Sequence, residues 1–313
     1  MPTGLLLVDK PQGLTSHDVV ARARRALGTR KVGHAGTLDP MATGLLTLGA
    51  GSATRLLTYL VGLDKTYETT MRLGAATTTD DAEGEVVMTA DPAAIAAVTD
   101  EQLAQGIRAL TGEIDQRPSS VSAIKVDGKR AYDRVRAGEE VELASRRVTI
   151  RAFDVLAVRR IGAAIEVDAR IDCSSGTYIR ALARDLGAAL GIGGHLTALR
   201  RTHVGPFEVA DAVSLEALAE KGTSLLASPA EVAAQLFPVL EVDAAQARDL
   251  GHGKALTVPT HPDAEPVAAV ERGSGGEHPD RLVALISVRQ GRGRTLVGFP
   301  PDPSPASAQE ARP

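Results

Sequence analysis

The chain has 313 residues, 43% of them apolar and 24% charged, an ordinary composition for globular material with a length prior of about two domains. A net charge of −4 argues against a whole-chain basic footprint for nucleic acid, and a single cysteine, Cys173, excludes an internal disulfide framework or a Cys-rich zinc site. With four Tyr, four Phe and no Trp, the core must rest on Ala, Val and Leu, and any ring at a site stands out.

Residues 5–8 (LLLV) read as a short buried strand. Asp9 and Lys10 end this apolar run too soon for a signal h-region or a membrane span, so a cytoplasmic location is expected. Thr15, Ser16, His17 and Asp18 offer N-cap chemistry for a helix over 17–27, closed by Gly28. Residues 29–43 read as a polar, Gly-containing loop, 45–48 as a strand and 53–61 as a helix. Alternation over 65–73 predicts a strand with Lys65, Tyr67 and Thr69 on one face. An acidic turn at 80–85 and a helix at 100–110 follow. Residues 117–145 are basic and turn-rich, with a short helix near 131–136. Strands are predicted at 146–158 and 164–173, a helix over 177–190 and an extended segment over 196–204.

Beyond 210 the character changes: Ala/Leu/Glu-rich segments at 214–221 and 229–236 read as helices, and 239–300 as short strands with Gly/Pro turns. Strands and helices mixed without regular alternation predict an α+β catalytic domain on a largely antiparallel sheet. The expected division is a catalytic domain over 1–210, a helical connector over 211–238, a small β domain over 239–300 and a disordered tail over 301–313.

Net charge hides segregation. Residues 1–75 carry +4, 76–116 carry −8, 117–160 carry +5 and 211–313 carry −5. Two basic stretches leave a local basic surface open, and local field steers an anionic ligand more than net charge does.

Generic chemical motifs fail. Residues 49–54 (GAGSAT) lack the third glycine of a dinucleotide fingerprint. No phosphate-loop Gly-Lys-Ser/Thr and no His-Glu-x-x-His are present, and Ser174-Ser175-Gly176 is no nucleophile elbow. Three stretches carry more weight. Residues 31–44 (KVGHAGTLDPMATG) read either as a surface turn or as a rigid loop presenting Asp39 as nucleophile or base. Residues 65–74 read as an amphipathic strand with Tyr67 packed on the core or in a site. Residues 172–180 (DCSSGTYIR) join a strand to a helix start, with Thr177 or Ser175 as its cap. Arg180 falls in the first helical turn, where a cation opposes the helix dipole. An acceptor should compensate it, and a carboxylate is the obvious one. Cys173 reads as a small buried strand residue.

Together these stretches resemble the tRNA pseudouridine synthases of the TruB family, bacterial type. The resemblance runs from about 4 to 208 through residues 4–16, 33–44, 65–67, 122–125 with 130–132, 176–180 and 194–202 in the family's order. It implies an intramolecular transferase that isomerises uridine 55 of the tRNA T loop by base flipping, without cofactor or metal. Asp39 matches the catalytic aspartate, Arg180 the arginine that pairs with it, and Tyr67 the tyrosine against the target base. Tyr178 and Leu199 match pocket residues, and His34 matches the residue that fills the vacated stack. Lys10, Lys31 and Lys65 are expected phosphate contacts, as are Lys125, Arg130 and Arg134 within a 117–145 insertion expected to clasp RNA and order on it. Where the family often has Pro-Pro and an aromatic, this chain has Pro118-Ser119-Ser120-Val121. The C-terminal region is expected to be a divergent PUA-like domain. The implied partner is the tRNA T arm, with no membrane, no obligatory protein partner and a monomeric state. Two alternatives stay open: a tRNA-folding chaperone with secondary catalysis, and a synthase for another RNA.

Overall fold

The structure is a computed structural model that describes residues 1–119, 125–126, 129–130, 144–273 and 279–300. The expected helix near 131–136 and the expected disordered tail lie outside the described residues.

The alternating and apolar runs of the first 210 residues pair into one nine-stranded sheet. Strand β1 (Gly4–Lys10) is followed by helix α1 (Ser16–Ala26), β2 (Val32–Ala35) and β3 (Thr43–Ala50). A 3-10 turn leads into α2 (Leu57–Val61), then β4 (Lys65–Leu73) and the small hairpin β5 (Ala75–Thr77) and β6 (Val86–Thr89). Next come α3 (Pro92–Ala97), α4 (Asp100–Ala109) and β7 (Gly112–Gln116). The short pair β8 (Lys125–Val126) and β9 (Lys129–Arg130) precedes β10 (Arg146–Arg160), β11 (Ile165–Cys173), α5 (Ile179–Ala189), β12 (Gly194–Val204) and β13 (Phe207–Glu208). The sheet order is β1-β3-β12-β4-β11-β10-β7, with β2 on β3 and β13 on β12. Every contact is antiparallel except β3 with β12, which run parallel and touch through only Thr43–Arg200 and Gly44–Arg201. The sheet is therefore forked between these strands, and the Asp39 loop opens into the fork. The stretch at 29–43, expected to be all loop, contains β2, a short strand that pairs with β3 from Val32–Ala50 to Ala35–Thr47.

Helix α1 forms for local reasons. Thr15 caps it, and Thr15 and Asp18 exchange a capping box. Val19, Val20 and Ala23 point inward, and burying each Val contributes about 1.5–3 kcal/mol.

The C-terminal part holds α6 (Leu215–Lys221), α7 (Pro229–Leu236), β14 (Val239–Val242), α8 (Ala244–Gly251), β15 (Leu256–Thr257), β16 (Ala264–Glu271), β17 (Arg281–Arg289) and β18 (Arg292–Gly298). Its five strands order as β14-β16-β17-β18-β15. One apolar cluster joins Leu45 and Phe207 of the first sheet and Leu60 of α2 to Ala233 of α7, to Leu285 of the second sheet and to Phe299 just beyond it. The two sheets are thus welded by a shared core. Among the described residues no helix is long and apolar enough to cross a membrane.

Candidate active site

The Asp39 loop is pinned from three sides. Gly36 turns out of β2 with φ +83°, a left-handed conformation that glycine adopts without cost. Ser16, buried at the start of α1, bonds both backbone groups of Leu38: its hydroxyl donates to the carbonyl at 3.1 Å and accepts the N–H at 2.9 Å. Leu38, Met41 and Ala42 anchor the loop in the core. The carbonyl of Pro40 accepts from Gly13 N–H at 2.8 Å and from the Lys10 ammonium at 3.3 Å.

Lys10 requires a correction. It has no exposed surface, and its ammonium also donates to the carbonyls of Pro11 and Leu14. An ammonium enclosed by three carbonyls is turned away from any phosphate at the surface; it is a strut beneath the Asp39 loop. Burial lowers its pKa to about 8, with Asp39 pulling it back up.

Opposite the loop, Asp39 Oδ2 lies 3.0 Å from Arg180 Nε. Arg180 sits in the first turn of α5 and is almost wholly buried. Among the described residues it also donates from Nη1 to Asp81 Oδ2 at 3.2 Å and to the Thr79 carbonyl at 2.7 Å. Asp81 is itself 3% exposed. It is delivered by the acidic turn, where Asp80 adopts φ +59° and Leu196 N–H bonds the Asp80 carbonyl. Asp81 was read from sequence only as part of a turn; nothing local announces a partner 99 residues away. Helix α5 starts one residue later than an expected Thr177 cap would give and three later than a Ser175 cap would. Tyr178 is its N-cap, with no side-chain cap bond, and the Thr177 hydroxyl turns to the Ser174 carbonyl.

A cavity of about 340 Å³ opens above this ion pair, within the range of small-ligand sites. It gathers Asp39, Lys65, Tyr67, Tyr178, Arg180 and Leu199. Tyr67 is carried on β4 between Ile171 and Arg201, and burial raises its phenol above the ordinary value of 10. Arg201, a pocket residue that sequence reading missed, is 1% exposed and donates to the carbonyls of Leu45 and Gly36. It crosses the fork and ties the start of the loop to β12.

Lys65 also departs from the phosphate-contact expectation. Its buried ammonium donates to the carbonyls of Val61 and Leu63, which makes it pocket wall. Burial and Arg201 lower its pKa to about 8. Burial pushes the neighbouring Cys173 thiol up to about 11, as befits a packing residue. His34 lies on β2, outside the cavity lining. Its ring meets His17 edge-on at 5.5 Å, and its buried Nδ1 has no hydrogen-bond partner among the described residues. Burial, His17 and Arg201 lower its pKa. Lys31 is exposed at the entry to β2. The side chains of Lys125, Arg130 and Arg134 lie outside the described residues. Among the described residues no cluster of His, Cys, Asp and Glu is arranged to hold a metal.

Three family profiles match in succession: TruB family pseudouridylate synthase, N-terminal domain, over 24–179; tRNA pseudouridylate synthase B C-terminal domain over 180–239; and tRNA pseudouridine synthase II, C-terminal, over 237–300. The chain is 60% identical to the tRNA pseudouridine synthase B of Leifsonia xyli subsp. xyli over 302 residues, 96% of this chain and 97% of that one. It is 56% identical to the protein of that name from a Mycobacterium species over 294 residues, 91% and 96% of the two chains. Among solved structures, an H/ACA ribonucleoprotein bound to a substrate RNA containing 2′-deoxyuridine superposes with TM-score 0.68 at 24% identity, covering 95% of this chain and 85% of that one. The archaeal Nop10–Cbf5 complex gives the same score and identity with 96% and 87% covered. Near-complete coverage at such identity, on this mixed and mainly antiparallel fold, establishes that the chain belongs to the TruB family of pseudouridylate synthases.

Proposed function

We propose that this chain isomerises uridine 55 in the T loop of tRNA to pseudouridine, without a cofactor. The observation that carries the reading is Asp39, held against Arg180 below a pocket walled by Tyr67 and Tyr178, in a chain whose relatives are named tRNA pseudouridine synthase B.

In the reaction the bond from C1′ to N1 breaks, the uracil turns, and a bond from C1′ to C5 forms. C5 gives up its proton and N1 gains one, so the product is an isomer of the substrate. A carboxylate is ionised near neutral pH and can attack the nucleotide and later leave. Arg180, charged at all working pH, fixes which oxygen of Asp39 faces the pocket. Tyr67 packs on the target base. Its raised pKa keeps the phenol protonated at neutral pH, ready to relay a proton.

A base inside a folded loop must be flipped out, at a cost of a few kcal/mol in lost stacking. His34 fills the vacated stack with a flat ring. Lys31, with Lys125, Arg130 and Arg134 of the basic 117–145 stretch, supplies phosphate contacts. The five-stranded C-terminal sheet serves as a divergent PUA-like domain toward the acceptor stem. The enzyme works in the cytoplasm as a monomer, with no protein partner.

The test is to map pseudouridine in unmodified total tRNA after incubation with the protein and with Asp39→Asn. The expected result is new pseudouridine at T-loop position 55 with the first and none with the second, while the variant still binds tRNA. Modification at another position, or activity in Asp39→Asn, sinks the reading.

A further inference from the structure

The two residues that flank the 117–145 stretch converge on one residue of the pocket. Gln116, the last residue of β7, has no exposed surface. Its amide grips the backbone of Tyr178 at both groups: Nε2 donates to the Tyr178 carbonyl at 2.9 Å, and Oε1 accepts the Tyr178 N–H at 2.7 Å. Directly opposite Gln116 in the β7–β10 register stands Arg146. Arg146 is exposed, and its guanidinium carbon lies 5.4 Å from the centre of the Tyr178 ring. One strand end thus holds the backbone of Tyr178 and its partner holds the ring.

The same root reaches the Arg180 network. The Ser119 hydroxyl donates to the Thr79 carbonyl at 3.2 Å, the oxygen that also accepts from Arg180. Arg184, one turn along α5, joins the Arg117 carbonyl to the Asp80 carboxylate. Helix α5 has no side-chain cap, so these contacts hold its N-terminus where a capping side chain otherwise would.

We propose that Gln116 and Arg146 are positioning residues for the isomerisation: acting together through Tyr178, they set the pocket wall and the helix start that aims Arg180 at Asp39. This rests on the reading of the pocket as the uridine site. Neither residue reaches the reacting atoms, so removing either should slow the chemical step and leave tRNA affinity in place.

Single-turnover tritium release from 5-tritiated uridine tRNA and filter binding test this in Gln116→Ala, Arg146→Gln and the double variant. Expected losses in rate are about 30-fold for Gln116→Ala and about 5-fold for Arg146→Gln, with Kd within about 2-fold of the parent. Because both act through one residue, the double variant should fall about 30-fold; two independent losses would multiply to about 150-fold. Arg146→Lys keeps the cation over the ring and should restore about half of the lost rate. With 3-fluorotyrosine incorporated, the four tyrosines give four fluorine signals, and only the one lost in Tyr178→Phe should move in either single variant.

The proposal is overturned by an unchanged rate in Gln116→Ala, by multiplying losses, or by a loss confined to Kd. Should Gln116→Ala disturb all four fluorine signals, the surface variant Arg146→Gln decides alone by its rate and its Tyr178 signal. Asp39→Asn is run alongside. If it stays active, the site reading fails; if it is dead while Gln116→Ala keeps full rate, only the positioning proposal fails.

Discussion

Asp81 backs Arg180 from the side away from the cavity, its Oδ2 3.2 Å from Nη1, while Asp39 meets Nε at 3.0 Å. One buried guanidinium therefore serves two carboxylates of unequal exposure, 4% for the Asp81 side chain and 38% for Asp39. The buried partner fixes the arginine, and the open one is left facing the pocket.

Asp81→Asn keeps the shape and removes the fixing charge. A weakened hydrogen bond to a buried ion costs about 1–3 kcal/mol of stability. The single-turnover rate should drop about 10–100-fold with tRNA binding intact. A rate equal to the parent's would mean that Asp39 alone orients Arg180.

His34 should titrate below 6.5, because burial disfavours the imidazolium and His17 and Arg201 oppose it. Between its folded value and 6.5 the unfolded chain binds more protons, so stability rises with pH through that window and falls as pH drops below 6.5. Proton–carbon NMR of the histidine Cε1 signals follows this directly. His17→Gln should move the His34 midpoint up, and a His34 midpoint at or above 6.5 in the parent would contradict its half-buried placement beside His17.

Gly44→Ala tests the fork. Gly44 has φ +97°, and an added Cβ would lie 2.3 Å from the Arg201 carbonyl oxygen. Backbone strain and the backbone clash together should cost about 3 kcal/mol or more. Thermal unfolding checks it; a midpoint unchanged from the parent would show that the two strands can part without loss.

Leu285→Ala tests the weld between the sheets. Leu285 has no exposed surface and belongs to the cluster that includes Leu45 and Leu60. Truncation should cost about 2–5 kcal/mol. Calorimetry should record one transition at lower temperature, with heat inactivation of the synthase shifting alongside it. Two transitions, with activity loss unmoved, would mean that the second sheet unfolds on its own.

Neutralising Arg130 and Arg134 together should weaken tRNA binding and reduce the salt slope by about two phosphate contacts' worth, roughly 1.4–1.8 in log–log terms. Binding measured from low to moderate salt decides; an unchanged slope removes these residues from the interface.

Much of this was readable from local chemistry. Strand β4 falls on the alternating run, and α1 lies within a residue of its predicted ends because capping and periodicity are local. Even the Asp39–Arg180 contact was foreshadowed, since a cation in a first helical turn needs an acceptor. Asp81 was not, because its role depends on the left-handed turn at Asp80 docking onto β12. Lys10 and Lys65 misled for a related reason: a lysine reads as solvent-facing unless several distant carbonyls converge on it. Helix α8 was missed within a run read as strands, though Asp243 and Gln246 spell a capping box. The Gln116 clamp depends on a contact 62 residues long, which no sequence window contains.

The forked sheet also sets the order in which the site can come into being. The Asp39 loop leaves the ribosome early, together with Lys10, Gly13 and Ser16 that pin its backbone. Arg180 and Arg201 follow much later; the bond from Arg201 to Gly36 closes a gap of 165 residues. At about 5–20 residues per second, the loop waits roughly 8–30 s for the two arginines that tie it down. Through that interval the young chain carries the Asp39 carboxylate without the arginine it pairs with, so the pocket can close only once about two thirds of the 313 residues have been made.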